Sequence, residues 1–431
     1  MKRILTAMAA ALSLTAASAE SWSLDSCIQY AIDHNISIEQ RRVSARQGEL
    51  EVTAAKDRFL PELSGYASQS FNFGRGLTAD NTYANRNTSS FSTGASLSLP
   101  IFQGLSAVRN LSYSRTNLQA LLEQTEAAKD DVTLNVISQY LQALYASEML
   151  KVARINLHIS QDELARRRQL LEAGKIPELD IYSAEAQVKQ DELSVTGAES
   201  DSITAMLDLA QLLNLPSAEG FFIKPLDDTN PLILNPDDVY ANADANNHSI
   251  RAGRLNKEAA AKNVDVAKSG YIPRLSFSAG LGTNYYKTSG FSNESFGAQM
   301  RHNFSKSIGL SLSVPVFDAF STRNSVRRAR LQEESARLEL EDSQNRLYKS
   351  ITQAYSQAVR AAKQKEASAK AVESTKAAFD AMQVKYDNGK ANATEFEKAK
   401  SDYISSLLQE TQARYELVLR ARILEFYNRI N

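Results

Sequence analysis

Four stretches of this chain alternate apolar and small polar residues with period two, the pattern of a strand with one apolar and one polar face. In "SSFSTGASLSLPI" the odd positions Phe91, Thr93, Ala95, Leu97, Leu99 and Ile101 are mostly apolar, while Ser90, Ser92, Gly94, Ser96 and Ser98 fill the even ones. "RLSFSAGLGTNYY" sets Leu275, Phe277, Ala279 and Leu281 against Ser276, Ser278, Gly280 and Gly282. "FSKSIGLSLSVPV" opposes Ile308, Leu310, Leu312, Val314 and Val316 to Ser307, Gly309, Ser311 and Ser313. The fourth, "LPELSGYASQSFNF", is weaker, with Leu63, Phe71 and Phe73 on one side and Tyr66 on the other. Two of the strands end in near-identical strings, "SLSLPIF" and "SLSVPVF", that feed long runs without a helix breaker. Residues 105–173, 316–388 and 390–431 contain neither Gly nor Pro. Within these runs Leu134, Ile137, Leu141 and Leu144 are spaced 3, 4, 3, and Leu157, Leu164 and Leu171 follow at sevens. Tyr348, Ile351 and Tyr355, then Val372, Phe379 and Tyr386, do the same later. This predicts long helices with narrow a/d seams, the longest a rod of about 100 Å.

The pattern occurs twice. "NISIEQRR" at Asn35 parallels "NHSIRAGR" at Asn247, and Phe59 parallels Tyr271, both offset by 212. Pro100 and Pro315, Tyr140 and Tyr355, and Gly174 and Gly389 are offset by 215. A duplicated unit follows, read as helices over 20–60, two strands with a connecting loop over 61–104, and long helices over 105–215 that turn near 174. A proline-rich linker covers 216–240, after which helices (241–270), strands (271–317) and long helices (318–431, turning near 389) repeat the plan. Residues 1–19 read as a signal peptide: Lys2 and Arg3, an apolar core from Ile4 to Leu14, and a small-residue site ending at Ala19.

Composition narrows the function classes. Removing Lys2 and Arg3 with the signal leaves 47 basic against 50 acidic residues, which gives no basic footprint for nucleic acid. No later segment approaches 18 uninterrupted apolar residues, so a membrane-crossing helix is not expected. Cys27, the single cysteine, excludes an intrachain disulfide and reads as a packing residue rather than a lipidation site. His34, His158, His248 and His302 are scattered without metal spacing. No phosphate-binding loop and no G-x-S-x-G appears, so neither an enzyme nor a cofactor is expected.

A wet sheet face normally carries Lys, Glu and Thr, whereas these faces carry Ser and Gly, on strands of bilayer-spanning length. Apolar side chains toward lipid and small polar ones toward a lumen account for both. Four strands cannot close, because the smallest bacterial barrels have about eight. An open edge in lipid leaves backbone groups unpaired, so copies of the chain must supply the missing strands. The periodicity does not choose between two copies and three.

The paired strand openings "LPELS"/"IPRLS", the junctions "SLSLPIFQG"/"SLSVPVFDAF" and the turns "EAGKIPELDIYSAEAQV"/"DNGKANATEFEKAKSDY" resemble the TolC family of outer-membrane efflux and secretion channel-tunnels. The resemblance covers almost the whole mature chain. It implies a mixed, mainly α fold: a duplicated unit of long tunnel helices plus four transmembrane β-strands per chain. A homotrimer would form a twelve-stranded barrel in outer-membrane lipid, continuous with an α-helical barrel in the periplasm. The strand loops would then be extracellular and the turns periplasmic. Implied partners are a periplasmic adaptor (membrane fusion) protein and an inner-membrane pump of RND or ABC type.

The turns hold the candidate site residues. Gly174 and Gly389 stand where a helix stops and reverses, with Lys175 and Lys390 next. Six residues past each Gly comes an acid, Asp180 or Glu395. An acid there favours the helix dipole by a few tenths of a kcal/mol at about the low end of such effects. The resemblance implies a sharper role, an acidic ring at a constricted periplasmic mouth, with Lys398 and Ser183 standing where second acids would be. It also places the adaptor-docking tips at Leu171, Gly174, Lys175, Gly389 and Lys390. Pro100 and Pro315 are expected to end their strands and redirect the chain into the helices. Arg166-Arg167-Arg168 reads as a solvated basic face, and Trp22 as a packing anchor. The function expected is a passive exit duct for small toxic compounds or proteins. The alternatives are a periplasmic coiled-coil structural or adaptor protein that never spans the membrane, and a stand-alone porin.

Overall fold

The computed structural model describes residues 21–77, 81–85, 87–218, 220–226 and 231–429; residues 1–19, read above as a signal peptide, lie outside them. In chain order the elements are α1 (Leu24–His34), α2 (Ile36–Asp57), β1 (Glu62–Asn72), β2 (Arg75–Leu77), β3 (Tyr83–Asn85), β4 (Thr88–Gln103), α3 (Ser106–Glu172) and α4 (Glu178–Leu212). They continue with α5 (Pro236–Asn246), α6 (His248–Lys268), β5 (Arg274–Thr288), α7 (Phe296–His302), β6 (Ser305–Ser313), α8 (Ser321–Asp387) and α9 (Ala393–Arg429). Contacts sort the chain into two compact units, one of them Val43–Glu123 with Ala252–Asp342. The other holds the described residues up to Arg42, Gln124–Arg251 and those from Ser343 on. No described helix is long and apolar enough to cross a membrane.

The sheet belongs to the first of these units. Its order is β1-β4-β5-β6, every pair antiparallel. The short pair β2-β3, and helix α7 between β5 and β6, fall in loops where the alternation gave no signal. Pairing sets like against like: Ser64 faces Ser96, which faces Gly280, which faces Ser307. One step along, Leu97 faces Ala279, which faces Ile308. Because cross-strand partners share a face, the alternation read in four separate strands becomes one polar and one apolar surface.

Pro100 does not end its strand. It pairs with Ser276 inside β4, where a bulge between Pro100 and Phe102 absorbs the missing donor, and the strand continues to Gln103. Pro315 lies two residues beyond the end of β6. The chain is redirected instead by paired left-handed residues, Gly104 and Leu105 (φ 60° and 66°) and Ala319 and Phe320 (φ 51° and 63°). These pairs are themselves offset by 215 residues, and each immediately precedes a 67-residue helix, α3 or α8. Space is also short at Gly104, where a Cβ would lie 2.9 Å from Ile272 Cβ and 3.0 Å from the carbonyl oxygens of Ile272 and Ser269. Gly104→Ala is expected to cost about 1–3 kcal/mol, read as a lower guanidinium midpoint.

The other unit has its own apolar core. Leu24, Cys27 and Ala31 of α1 and Ile38 of α2 meet Val136, Tyr140 and Leu144 of α3 and Leu209 and Leu213 at the end of α4. Cys27 is fully enclosed, and burial pushes its thiol up to about 12, which suits a packing residue. Trp22 forms a parallel bridge with Ile223 and meets Tyr30 and Phe221 edge-on. The buried Tyr140 hydroxyl sits 3.0 Å from the Trp22 carbonyl and 2.6 Å from that of Lys224, tying the start of the chain and the linker to α3. On α8 the buried row is largely alanine (Ala354, Ala358, Ala361) with Ile351, whereas Tyr348 of the expected seam is exposed and rests edge-on against Tyr240.

Candidate functional site

Two surfaces carry the candidate function, each within one unit. On the sheet, the polar face is lined by Ser64, Ser92, Ser96, Ser278, Ser307 and Ser311, with glycines between them. Ser64 and Ser96 satisfy each other across the strands at 2.8 Å. Glu62 and Arg274, at the end nearest the helices, are the only acid and base among the strand positions of this face. On the opposite face Leu63, Ile308, Leu310 and Leu312 are 65–79% exposed. That is a contiguous apolar surface which the chain by itself does not bury.

The turns lie in the other unit. Gly174 and Gly389 take φ values of 66° and 69°. Gly174 N–H bonds the Leu171 carbonyl (2.8 Å) and Lys175 N–H that of Leu170 (2.9 Å). Gly389 N–H bonds the Tyr386 carbonyl (3.0 Å) and Lys390 N–H that of Lys385 (2.8 Å). Both helices therefore end in the same two-bond αL cap, which accounts for glycine at each stop. Leu171 is half-buried, and Lys175 and Lys390 are exposed.

The predicted acids are held differently. Glu395 closes a reciprocal cap with Asn392: its carboxylate accepts from Asn392 N–H at 3.0 Å, and its own N–H donates to Asn392 Oδ1 at 2.8 Å. Asp180, in the first turn of α4, is half-buried, and its carbonyl accepts from Arg167 (3.3 Å) and Ser183 (2.9 Å). No hydrogen bond joins Asp180 to Glu395. Lys398 is exposed and pairs with Asp402 on its own helix at 3.2 Å.

Of the three arginines only Arg168 keeps the expected solvated position, its side chain 58% exposed. Arg167 is buried and bonds Glu163 at 2.6 Å, and the Tyr386 hydroxyl donates to the same Glu163 oxygen at 2.5 Å. Burial, and then the hydrogen bond to Glu163, raise the Tyr386 hydroxyl above its ordinary range. Arg166 stacks over the Tyr386 ring (4.3 Å) and pairs with Asp387 at 2.5 Å, and Arg168 reaches Glu185 at 2.8 Å. Arg166 and Arg167 are thus spent on joining α3 to α8 and to the first turn of α4, while the Arg168 pair with Glu185 stays at the surface. A carboxylate inside the helix packing and an aromatic face supply what the expected solvent would have, so burial costs little.

A second buried polar group escaped the sequence reading. Lys400 of α9 and Asp191 of α4 are each 3% exposed and lie 3.4 Å apart. Ser160 bridges them, and Asn156 (2.9 Å) and Gln187 (3.0 Å) donate to the other Asp191 oxygen. The available signal was positional: Asp191 continues the row Ile181, Ala184, Val188 at spacings of 3, 4, 3, all of it buried.

The profile of the outer membrane efflux protein family matches residues 27–215 and 239–426. The outer membrane efflux protein BepC of Brucella suis biovar 1 (strain 1330) is 22% identical over 320 residues, covering 74% of this chain and 66% of BepC. Outer membrane protein TolC of Vibrio cholerae is 24% identical over 285 residues, covering 64% of this chain and 61% of that protein. The chain spans three fifths to two thirds of the length of such curated relatives. In three dimensions the CmeC outer membrane channel of Campylobacter jejuni aligns with 94% of this chain and 85% of its own, at a TM-score of 0.79 and 16% identity. The matched blocks take in both repeats and most of the sequence: the chain belongs to the outer membrane efflux protein family.

Proposed function

We propose that the protein is the outer-membrane duct of an export assembly. Three chains would place twelve strands edge to edge as a barrel, with the helices forming a tunnel into the periplasm. The observation that carries this reading is the sheet: one Ser/Gly face, one exposed apolar face, and two edges, β1 and β6, each paired on one side only. In lipid such edges need partners, and copies of the chain supply them. Residues 1–19 would direct export across the inner membrane. The duct would be passive, with transport driven by an inner-membrane pump of RND or ABC type through a periplasmic adaptor. Small toxic compounds or proteins would be the cargo. Light scattering of the detergent-extracted outer-membrane protein, corrected for detergent, is expected to give three copies. A monomer in every detergent would instead favour a periplasmic coiled coil that does not span the membrane.

The turns would form the periplasmic mouth, Asp180 and Glu395 contributing a ring of negative charge flanked by Lys398. Leu171, Gly174, Lys175, Gly389 and Lys390 would meet the adaptor. The reciprocal cap at Glu395 dictates the variant: glutamine keeps both cap bonds and removes the charge, whereas alanine also gives up about 1 kcal/mol of helix capping. Asp180→Asn combined with Glu395→Gln is expected to lower cation preference in planar-bilayer recordings severalfold. Unchanged conductance and selectivity would remove both residues from the aperture.

A further inference from the structure

We propose that the loop end of the sheet carries a docking surface for a lipid whose headgroup bears phosphate; this rests on the barrel reading above. Among the apolar-face positions of the four strands only two are charged, and both are lysines at the loop end. Lys306 is the second residue of β6, opposite Leu281, and Lys287 lies two residues beyond Tyr285 on the same face of β5. At the other end the same face is uncharged, with Leu63, Leu99, Phe102, Leu275, Phe277 and Leu312.

Aromatic rings stand between these two cations, which lie six positions apart in the register of β5. Phe296 of α7 packs on the cross-strand pair Phe91 and Tyr285, with ring centroids 5.8 and 5.1 Å away, and Lys306 Nζ stands 5.7 Å from the Phe304 ring centre. Such a girdle sits where hydrocarbon gives way to headgroups. Helix α7 is pinned to β5, since Thr283 Oγ1 donates to the Met300 carbonyl (2.7 Å) and Gln299 bonds both N–H and C=O of Tyr286 (3.0 Å each). Arg301 is therefore presented from a fixed element five residues before Lys306.

Net charge points the same way. Residues 63–103 and 275–313 hold five arginines and lysines against two acids, Asp80 and Glu294, in a chain of net charge −1. Glu294 is already engaged by His302 at 3.3 Å. A lysine on a lipid-facing surface is costly unless it reaches the interface, and it gains most where an anion waits there. Phosphate fits the need: a compact ammonium binds it as a point charge, and the Arg301 guanidinium can bind it with two parallel bonds. In the barrel reading the loops face outward, so the ligand is a phosphorylated lipid of the outer leaflet.

Native mass spectrometry of the full-length protein, first reconstituted in nanodiscs, tests this with diphosphoryl lipid A and its dephosphorylated analogue. Wild type is expected to prefer the phosphorylated lipid on the order of 100-fold, from three interfacial cations. The combination Lys287→Gln, Arg301→Gln, Lys306→Gln is expected to lose that preference while still inserting. A control, Arg58→Gln with Arg274→Gln, removes charge at the other end and is expected to keep it. Equal binding of both lipids by an inserted wild type, or equal loss in the control, overturns the docking surface alone. A wild type that stays out of the bilayer overturns the barrel reading as well.

Discussion

Lys400→Met is expected to destabilise the helical unit by about 3–5 kcal/mol, because it leaves the Asp191 carboxylate buried without its cation. Asp191 keeps its neutral donors Asn156, Gln187 and Ser160, which places the loss nearer the lower figure. The pairing of Lys400→Met with Asp191→Leu removes both charges and is expected to recover most of the loss, since well-packed apolar substitutes for a buried ion pair are often neutral. Lys398→Met supplies the contrast. Its pair with Asp402 is exposed, and such pairs contribute roughly 0.2–1 kcal/mol. Guanidinium midpoints of the four proteins, compared at one protein concentration, decide the matter. A Lys400→Met midpoint equal to that of Lys398→Met would mean that water reaches Asp191.

The sheet yields the second large effect. Leu310 and Ser311 are adjacent on β6 but belong to opposite faces. Arginine at Leu310 would sit among exposed apolar neighbours, and at bilayer mid-depth this costs about 2–4 kcal/mol per chain. Arginine at Ser311 would point to the serine face, where water is available. Leu310→Arg is therefore expected to deplete assembled protein from the outer-membrane fraction, while Ser311→Arg assembles and changes ion selectivity. Equal recovery of the two in that fraction would show that the apolar face does not meet lipid.

Much of this architecture could be read from the chain because its signals are local and occur twice. Strand faces follow from period-two alternation, and helix stops from single glycines whose αL conformation the structure bears out at Gly174 and Gly389. Pro315 does stand just past its strand, but Pro100 misled because a bulge can accommodate it within one, and at both junctions the left-handed turn falls at Gly104-Leu105 and Ala319-Phe320, of which only Gly104 is a conspicuous residue. Arg166 and Arg167, unlike the exposed Arg168, misled for a different reason. Sequence spacing gives the face a residue occupies but not what arrives from a helix 220 residues away, and Arg166 finds the Tyr386 carbonyl at that separation. Asp191 and Lys400 were hidden likewise, although an acid continuing an apolar helical row is a sign worth heeding. Glu395 was placed correctly in the first turn of its helix, and its reciprocal bond with Asn392 was legible in "NATE".

The equal lengths of α3 and α8 constrain how such a protein can change over time. Both helices run 67 residues from a left-handed pair to a glycine cap. Four residues added to α3 alone would carry its turn about 6 Å out of step with the turn of α8. Insertions within these helices should consequently be inherited in matched sets, one in each repeat. The loops between strands, which set no such spacing, are free to drift in length independently.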